Sequence, residues 1–172
     1  MPNVSSIGTY AFASCYSLTS IDIPNVNYIG SYAFYNCYSL TSINMSNVSV
    51  INSYAFQYCS SLTSINIPNV SYIGSGALYG CRNLSTIKLY SISYIYNSIF
   101  YSCWRLSSLY LLASSMISLN GINYFNSTPI SNYTTENNGQ YGSIYVPASL
   151  YNIYRSDGSW SLYSDRFVSL TD

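Results

Sequence analysis

Apolar residues along this chain fall into columns with a step of 22. Ile7, Ile29, Ile51, Ile73 and Ile95 form one, and Leu18, Leu40, Leu62, Leu84 and Leu106 another. Cys15, Cys37, Cys59, Cys81 and Cys103 keep the same interval, with no cysteine elsewhere. Phe12, Phe34, Phe56, Leu78 and Phe100 add a further column, as do Ile21, Ile43, Ile65, Ile87 and Leu109. Ile23, Met45, Ile67, Leu89 and Leu111 follow two positions behind the last of these. A single 22-residue unit cannot bury its own apolar face. Stacked units place like residues over like and build a continuous core, so the period predicts a solenoid.

Within a unit the pattern assigns elements. Leu18-Thr19-Ser20-Ile21-Asp22-Ile23 alternates in its second half, which predicts a short strand with Ile21 and Ile23 inward and Ser20 and Asp22 outward. Pro24, Ser46 or Pro68 then ends it, since proline cannot donate to a ladder. Ala11, Phe12 and Cys15 have the spacing of a helical turn or short 3₁₀ segment facing the core. Successive strands are expected to form a parallel sheet. The array runs over residues 1–112. Over 113–143 the period fails into an irregular last repeat and loop, rich in turn formers such as Asn120-Gly121 and Glu136-Asn137-Asn138-Gly139. A last strand is read from Gly142 to Pro147, and residues 144–172 read as a capping segment, with a helix from Ala148 to Arg155 stopped at Asp157-Gly158 and Trp160, Leu162, Phe167 and Leu170 to cover the open core.

At these residues a resemblance becomes specific. The unit Ile-Gly-x-x-Ala-Phe-x-x-Cys-x-x-Leu-Thr-Ser-Ile-x-Ile-Pro, closest in the first three copies, resembles the BspA-like branch of the leucine-rich repeats. The fourth copy (Gly76, Leu78, Arg82, Ser85) and the fifth (Tyr96, Ile99, Trp104) drift from it. The segments at Leu119 to Ile130 and at Ile144 to Arg166 are similar to the closing part of such arrays. The resemblance implies an α/β, right-handed leucine-rich repeat solenoid with its parallel β-sheet on the concave face and a C-terminal cap. It further implies a secreted or cell-surface protein used in adhesion or host contact, binding a protein or glycan and not acting as an enzyme.

Composition narrows the chemistry. Five basic and five acidic side chains cancel, and only 6% of the 172 residues are charged, which disfavours nucleic acid and polybasic membrane contact. Histidine is absent, removing the commonest general base and metal ligand. The longest apolar stretch, around Leu109 to Ala113, is far too short to cross a bilayer. One thiol per coil lacks the close pairing of zinc ligands, and parallel Cβ vectors disfavour disulfides, so a ladder of buried free thiols is expected. Gly74-Ser75-Gly76 through Gly80 imitates a phosphate loop, but Gly74 is simply the column of Gly8 and Gly30. A serine nucleophile would need Lys88, the sole lysine, as its base, and nothing places one beside it. The acids Asp22, Glu136, Asp157, Asp165 and Asp172 are scattered. Neither catalytic residues nor cofactor or metal ligands are expected. Glycosylation-type triplets at Asn3, Asn47, Asn69, Asn83, Asn126 and Asn132 are close to random expectation in so Asn- and Ser-rich a chain, and Asn3, Asn25, Asn47 and Asn69 read as a turn-stabilising ladder.

Two features point outward. Pro2-Asn3-Val4 matches Pro24-Asn25-Val26, so the first coil is truncated. It has no polar cap and no visible signal peptide, which predicts an exposed parallel edge open to end-to-end association. The 22 tyrosines exceed what a core needs, and tyrosine suits recognition surfaces. Outward strand positions run Asp22, Asn44, Asn66, Lys88, Tyr110, with Pro24, Ser46, Pro68, Tyr90, Leu112 beside them. The expected contact surface is therefore Lys88, Tyr90, Tyr110 and Leu112, with Trp104 from the neighbouring column of Tyr16, Tyr38 and Arg82. The alternatives are a spacer whose parent protein binds elsewhere, and tyrosine as a half-polar surface filler.

Overall fold

The computed structural model describes residues 4–131 and 141–171. The start at Met1-Pro2-Asn3, the turn formers Glu136 to Gly139, the acidic residue Asp172 and the triplets at Asn3 and Asn132 lie outside the described residues. In chain order the first strands are β1 Ser6–Ile7, β2 Ser20–Asp22, β3 Tyr28–Ile29, β4 Ser42–Asn44, β5 Val50–Ile51 and β6 Tyr72–Ile73. They are followed by β7 Thr86–Leu89, β8 Tyr94–Tyr96, β9 Ser108–Leu111, β10 Ser118–Asn120, β11 Ser143–Pro147 and β12 Phe167–Leu170.

Among the described residues the strands pair in parallel, and within the array they keep the repeat register: Ile21 faces Ile43, and Ile87 faces Leu109. The alternation in Leu-x-x-Ile-x-Ile is borne out, with Ile23, Met45, Ile67, Leu89 and Leu111 almost fully buried. The strip they form is not continuous. β2 pairs with β4, and β7, β9, β11 and β12 form a separate sheet. Between the two, coil three contributes a lone bridge, Ser64 to Thr86.

A second parallel strip, absent from the sequence reading, joins β1, β3, β5 and β6, and β8 pairs with β10. It is built on the isoleucine column, with Ile7, Ile29, Ile51 and Ile73 in register. Two residues per coil suffice because stacking, not strand length, supplies the partners.

The Ala-Phe-x-x-Cys segment departs from the expected helical turn. It is a run of tight turns in which two residues per coil are left-handed: Tyr10 and Ser14, Tyr32 and Asn36, Tyr54 and Tyr58, Gly76 and Gly80, Ser98 and Ser102, then Asn123 and Ser127, all with φ between 55° and 70°. The reason lies in the hydrogen bonds. The amides of Ala11, Ala13 and Cys15 bond back three residues within their own coil, to Gly8, Tyr10 and Phe12. The alternate amides of Tyr10, Phe12 and Ser14 reach across to the carbonyls of Ser31, Ala33 and Tyr35 at 3.1, 2.8 and 2.6 Å. A 3₁₀ helix would spend every amide inside one coil. The left-handed residues, each costing about 1–2 kcal/mol when not glycine, turn half of them toward the next.

Inside this wall the phenylalanines stack face to face: Phe12 on Phe34 at 5.2 Å, and Phe34 on Phe56 at 5.1 Å. The five thiols are free, four of them buried and Cys15 half-buried. Each buried Sγ–H donates to a carbonyl of the preceding coil, Cys37 to Phe12 at 3.1 Å and Cys59 to Phe34 at 3.2 Å. The stack continues past the exact period. β10 pairs with β8 in register Leu119 to Ile95, and Phe125 stacks on Phe100 at 5.7 Å, so as far as Phe125 the irregular repeat follows the stack with two to three residues added.

The far end is closed by helix α1 Ala148–Ser156, a 3₁₀ helix Gly158–Arg166, and β12 paired to β11. Trp160, Tyr154, Phe167 and Tyr163 cover the last coil. Leu162, expected among them, is 72% exposed and Leu170 is only half-buried, because the 3₁₀ helix turns Tyr163 inward instead. Among the described residues no helix is long and apolar enough to cross a membrane.

Candidate functional site

The outward row of the Leu-x-x-Ile-x-Ile strip changes character along the stack. At its first coils Asn44 Nδ2 donates to Asp22 Oδ1 at 2.6 Å, a polar pair within the row itself. At its later coils Lys88, Tyr110 and Tyr145 are in register on β7, β9 and β11. The Lys88 Nζ lies 5.3 Å from the centre of the Tyr110 ring, within cation–π range. Tyr110 and Tyr145 stack at 4.4 Å with their planes 11° apart. Where coil three leaves the sheet, a hollow of about 280 Å³ opens, lined by Ser64, Asn66, Thr86, Lys88 and Tyr90 over Ile65, Ile67 and Ile87.

Of the residues singled out from sequence, Lys88 and Tyr110 are thus brought together, and Tyr90 shares the hollow with Lys88. Leu112 is half-buried beyond Tyr110 and donates its amide to Leu89. Trp104 stands elsewhere. It takes the Arg82 guanidinium over its ring at 4.3 Å and lines a separate groove of about 440 Å³ with Ser60, Asn83 and Arg105. Tyr145 was missed. Its alternation within Ser143-Ile144-Tyr145-Val146 signals an outward position, but the long excursion between β9 and β11 hides its register with Tyr110.

Another group of tyrosines dresses the turn wall. Tyr10, Tyr32 and Tyr54 stack at 4.9 and 5.1 Å, and Tyr79 stacks on Tyr101 at 4.9 Å. Burial raises the Tyr79 phenol above its ordinary pKa, helped by its tyrosine neighbours, Tyr58 foremost. Burial likewise holds the thiols protonated: Cys37 is pushed up to about 11, and Cys59, Cys81 and Cys103 further. These thiols are packing groups, not nucleophiles.

Alternate amides of the run from Gly74 to Gly80 are committed to the next coil and closed to a phosphate. Those of Gly76, Leu78 and Gly80 donate to Asn97, Ile99 and Tyr101 of the next coil. In the asparagine column Asn69 reaches between coils, its Nδ2 donating to the Ser46 carbonyl at 2.8 Å. Among the described residues no three His, Cys, Asp or Glu side chains gather where they could hold a metal ion.

Comparison with known proteins agrees with this architecture. The family model described as BspA type Leucine rich repeat region matches in six copies, over residues 1–107 and 27–156. A leucine rich cell surface protein from Faecalibacterium prausnitzii A2-165 is 34% identical over 67% of this chain, with a TM-score of 0.61. The T. pallidum leucine rich repeat protein is 25% identical over 72% of this chain and 70% of its own, with a TM-score of 0.55. The chain spans 31% of the length of the Faecalibacterium protein. No curated protein sequence matches it.

Proposed function

The chain belongs to the BspA-type leucine-rich repeat family, and from that premise we propose that it is a non-catalytic, surface-displayed or secreted binding module. Its contact face is the outward side of the later strands, centred on Lys88, Tyr90, Tyr110 and Tyr145, with Leu112 at the margin. In this reading the stack winds right-handed and the strip carrying these residues lies on its concave side. Residues 1–112 supply the regular array, 113–143 an irregular coil, and 144–172 the cap. The ligand is a protein or glycan met in adhesion or host contact.

One observation carries the reading. The inward positions stay apolar along the strip, while the outward ones pass from Asp22 and Asn44, which pair with each other, to an open aromatic pair beside a cation. A stacked tyrosine pair offers a rigid amphipathic area at little entropic cost. The cell-surface description of the Faecalibacterium relative supports the setting.

The test is to probe the purified chain on arrays of extracellular proteins and glycans, beside a Tyr110→Ser/Tyr145→Ser variant. Ligands captured by the first and lost by the second, at unchanged thermal stability, support the face. Capture that ignores the double substitution favours a spacer role, in which the monotonous early coils supply length and another part of the parent protein binds.

A further inference from the structure

A second surface, independent of the strand face, carries an inference of its own. The column after the cysteines reads Tyr16, Tyr38, Ser60, Arg82, Trp104. Tyr16 stacks on Tyr38 at 5.5 Å, and Arg82 lies over Trp104 at 4.3 Å. These are planar rungs at the spacing of the coils. Ser60 interrupts them, its hydroxyl turned back to the Tyr38 carbonyl at 3.5 Å. One rung is therefore missing, and two coil steps of about 4.8 Å leave a slot roughly 10 Å wide between Tyr38 and Arg82. The structure has a groove there of about 340 Å³, lined by Tyr38, Tyr58, Ser60, Gly80 and Arg82. Through Ser60 and Arg82 it adjoins the groove containing Asn83, Trp104 and Arg105.

We propose that this slot binds an acidic oligosaccharide, one sugar ring taking the place of the missing rung. The occupant must be flat enough to lie between a phenol face and a guanidinium. It must also be anionic: Arg82, Lys88 and Arg105 are the charged residues of coils four and five, and no Asp or Glu occurs between Asp22 and Glu136. Arg82 and Arg105 are exposed, and a guanidinium fork takes a carboxylate or sulfate through paired hydrogen bonds. The walls are more polar than a purely aromatic guest would want. Asn83 and the two arginines can meet ring hydroxyls, while Tyr38 meets the C–H face of the sugar.

The test follows the emission of Trp104, the other tryptophan, Trp160, being fully buried in the cap. The intact chain is titrated with a chondroitin hexasaccharide, its sulfated form, and neutral maltohexaose. Saturable binding of either acidic sugar, at least tenfold tighter than the neutral one and weakened by salt, is expected. Unsulfated chondroitin binding as well as the sulfated form assigns the contact to carboxylate; a preference for the latter assigns it to sulfate. Ser60→Tyr, which restores the column's own residue, is expected to lower affinity at least tenfold, and the exposed change Arg105→Gln gives a second reading should Ser60→Tyr disturb folding. Equal binding of maltohexaose, or acidic-sugar binding untouched by both changes, overturns the proposal. So does binding that depends on Tyr110 of the strand face instead, or a sulfotyrosine peptide binding where the acidic sugars do not.

Discussion

The amide of Ile117 donates to the phenolic oxygen of Tyr154 at 2.7 Å, while the carbonyl of the same residue accepts from Trp160 Nε1 at 2.9 Å. Both polar groups of one buried peptide position are thus met by cap side chains. Tyr154→Phe leaves the amide without its acceptor, at a cost of about 1–3 kcal/mol. Trp160→Phe strands the carbonyl and loses ring volume as well. Urea unfolding of the single and double variants measures both, and the double is expected to fall short of the sum because the two rings also touch, at 5.6 Å.

The phenylalanine stack makes the central coil the costliest to empty. Phe56 is fully buried against Phe34, and Leu78 stands on its other side in the column. Phe56→Ala is expected to lose about 3–5 kcal/mol, and Phe56→Leu, which repeats the residue of coil four, much less. Equal losses in denaturant titrations would contradict the stacking account.

Thiol accessibility should divide the cysteines. Cys15, half-buried on the first coil, is expected to react with a disulfide reagent in the folded protein, and the four buried thiols only upon unfolding. The same burial sets a pH dependence. Cys37 ionises at about 11 in the fold against its ordinary 9.0, so the unfolded chain loses this proton first. The stabilisation is complete below pH 9 and disappears as pH rises to about 11, with Cys59, Cys81 and Cys103 extending the loss upward. Urea midpoints should therefore fall above pH 9, and Cys37→Ala should flatten the first part of that fall.

Gly121 marks the lengthened coil. Its φ of 135° is open to glycine alone, and a Cβ there would run into Asn97, whose Oδ1 accepts from the Ile122 amide at 2.7 Å. Gly121→Ala is expected to cost about 1–3 kcal/mol and to loosen the packing of Phe125 on Phe100, visible as a lowered melting temperature and faster amide exchange at residues 122–126.

The core columns, the inward alternation and the parallel register were legible in the sequence because identical side chains at a fixed interval leave one way to stack. The left-handed turns were not. Tyrosine disfavours that conformation in isolation, and the amide bonds that enforce it exist only once two coils lie side by side. The second strip was hidden for a similar reason, since a dipeptide such as Tyr28-Ile29 has no strand pattern of its own. At the candidate face, Lys88 and Tyr110 were found through the period. Tyr145 was lost when the interval jumped, and Trp104 was grouped with the strand although its column faces the groove over Ser60.

The crossing backbone bonds of the turn wall, from the Tyr10, Phe12 and Ser14 positions onward, all run one way. Tyr10, Phe12 and Ser14 give their hydrogens to Ser31, Ala33 and Tyr35, and each later coil does the same until Ser98, Phe100 and Ser102 reach Ile122, Tyr124 and Asn126. In the strand strips donors alternate in direction, as where Ile23 gives to Asn44 and Thr41 gives to Thr19, and their dipoles cancel. Along the turn wall they add. That side of the molecule is an electrical rod without ionised groups in its row, positive toward the cap and negative toward the first coil, much as aligned peptides polarise a helix.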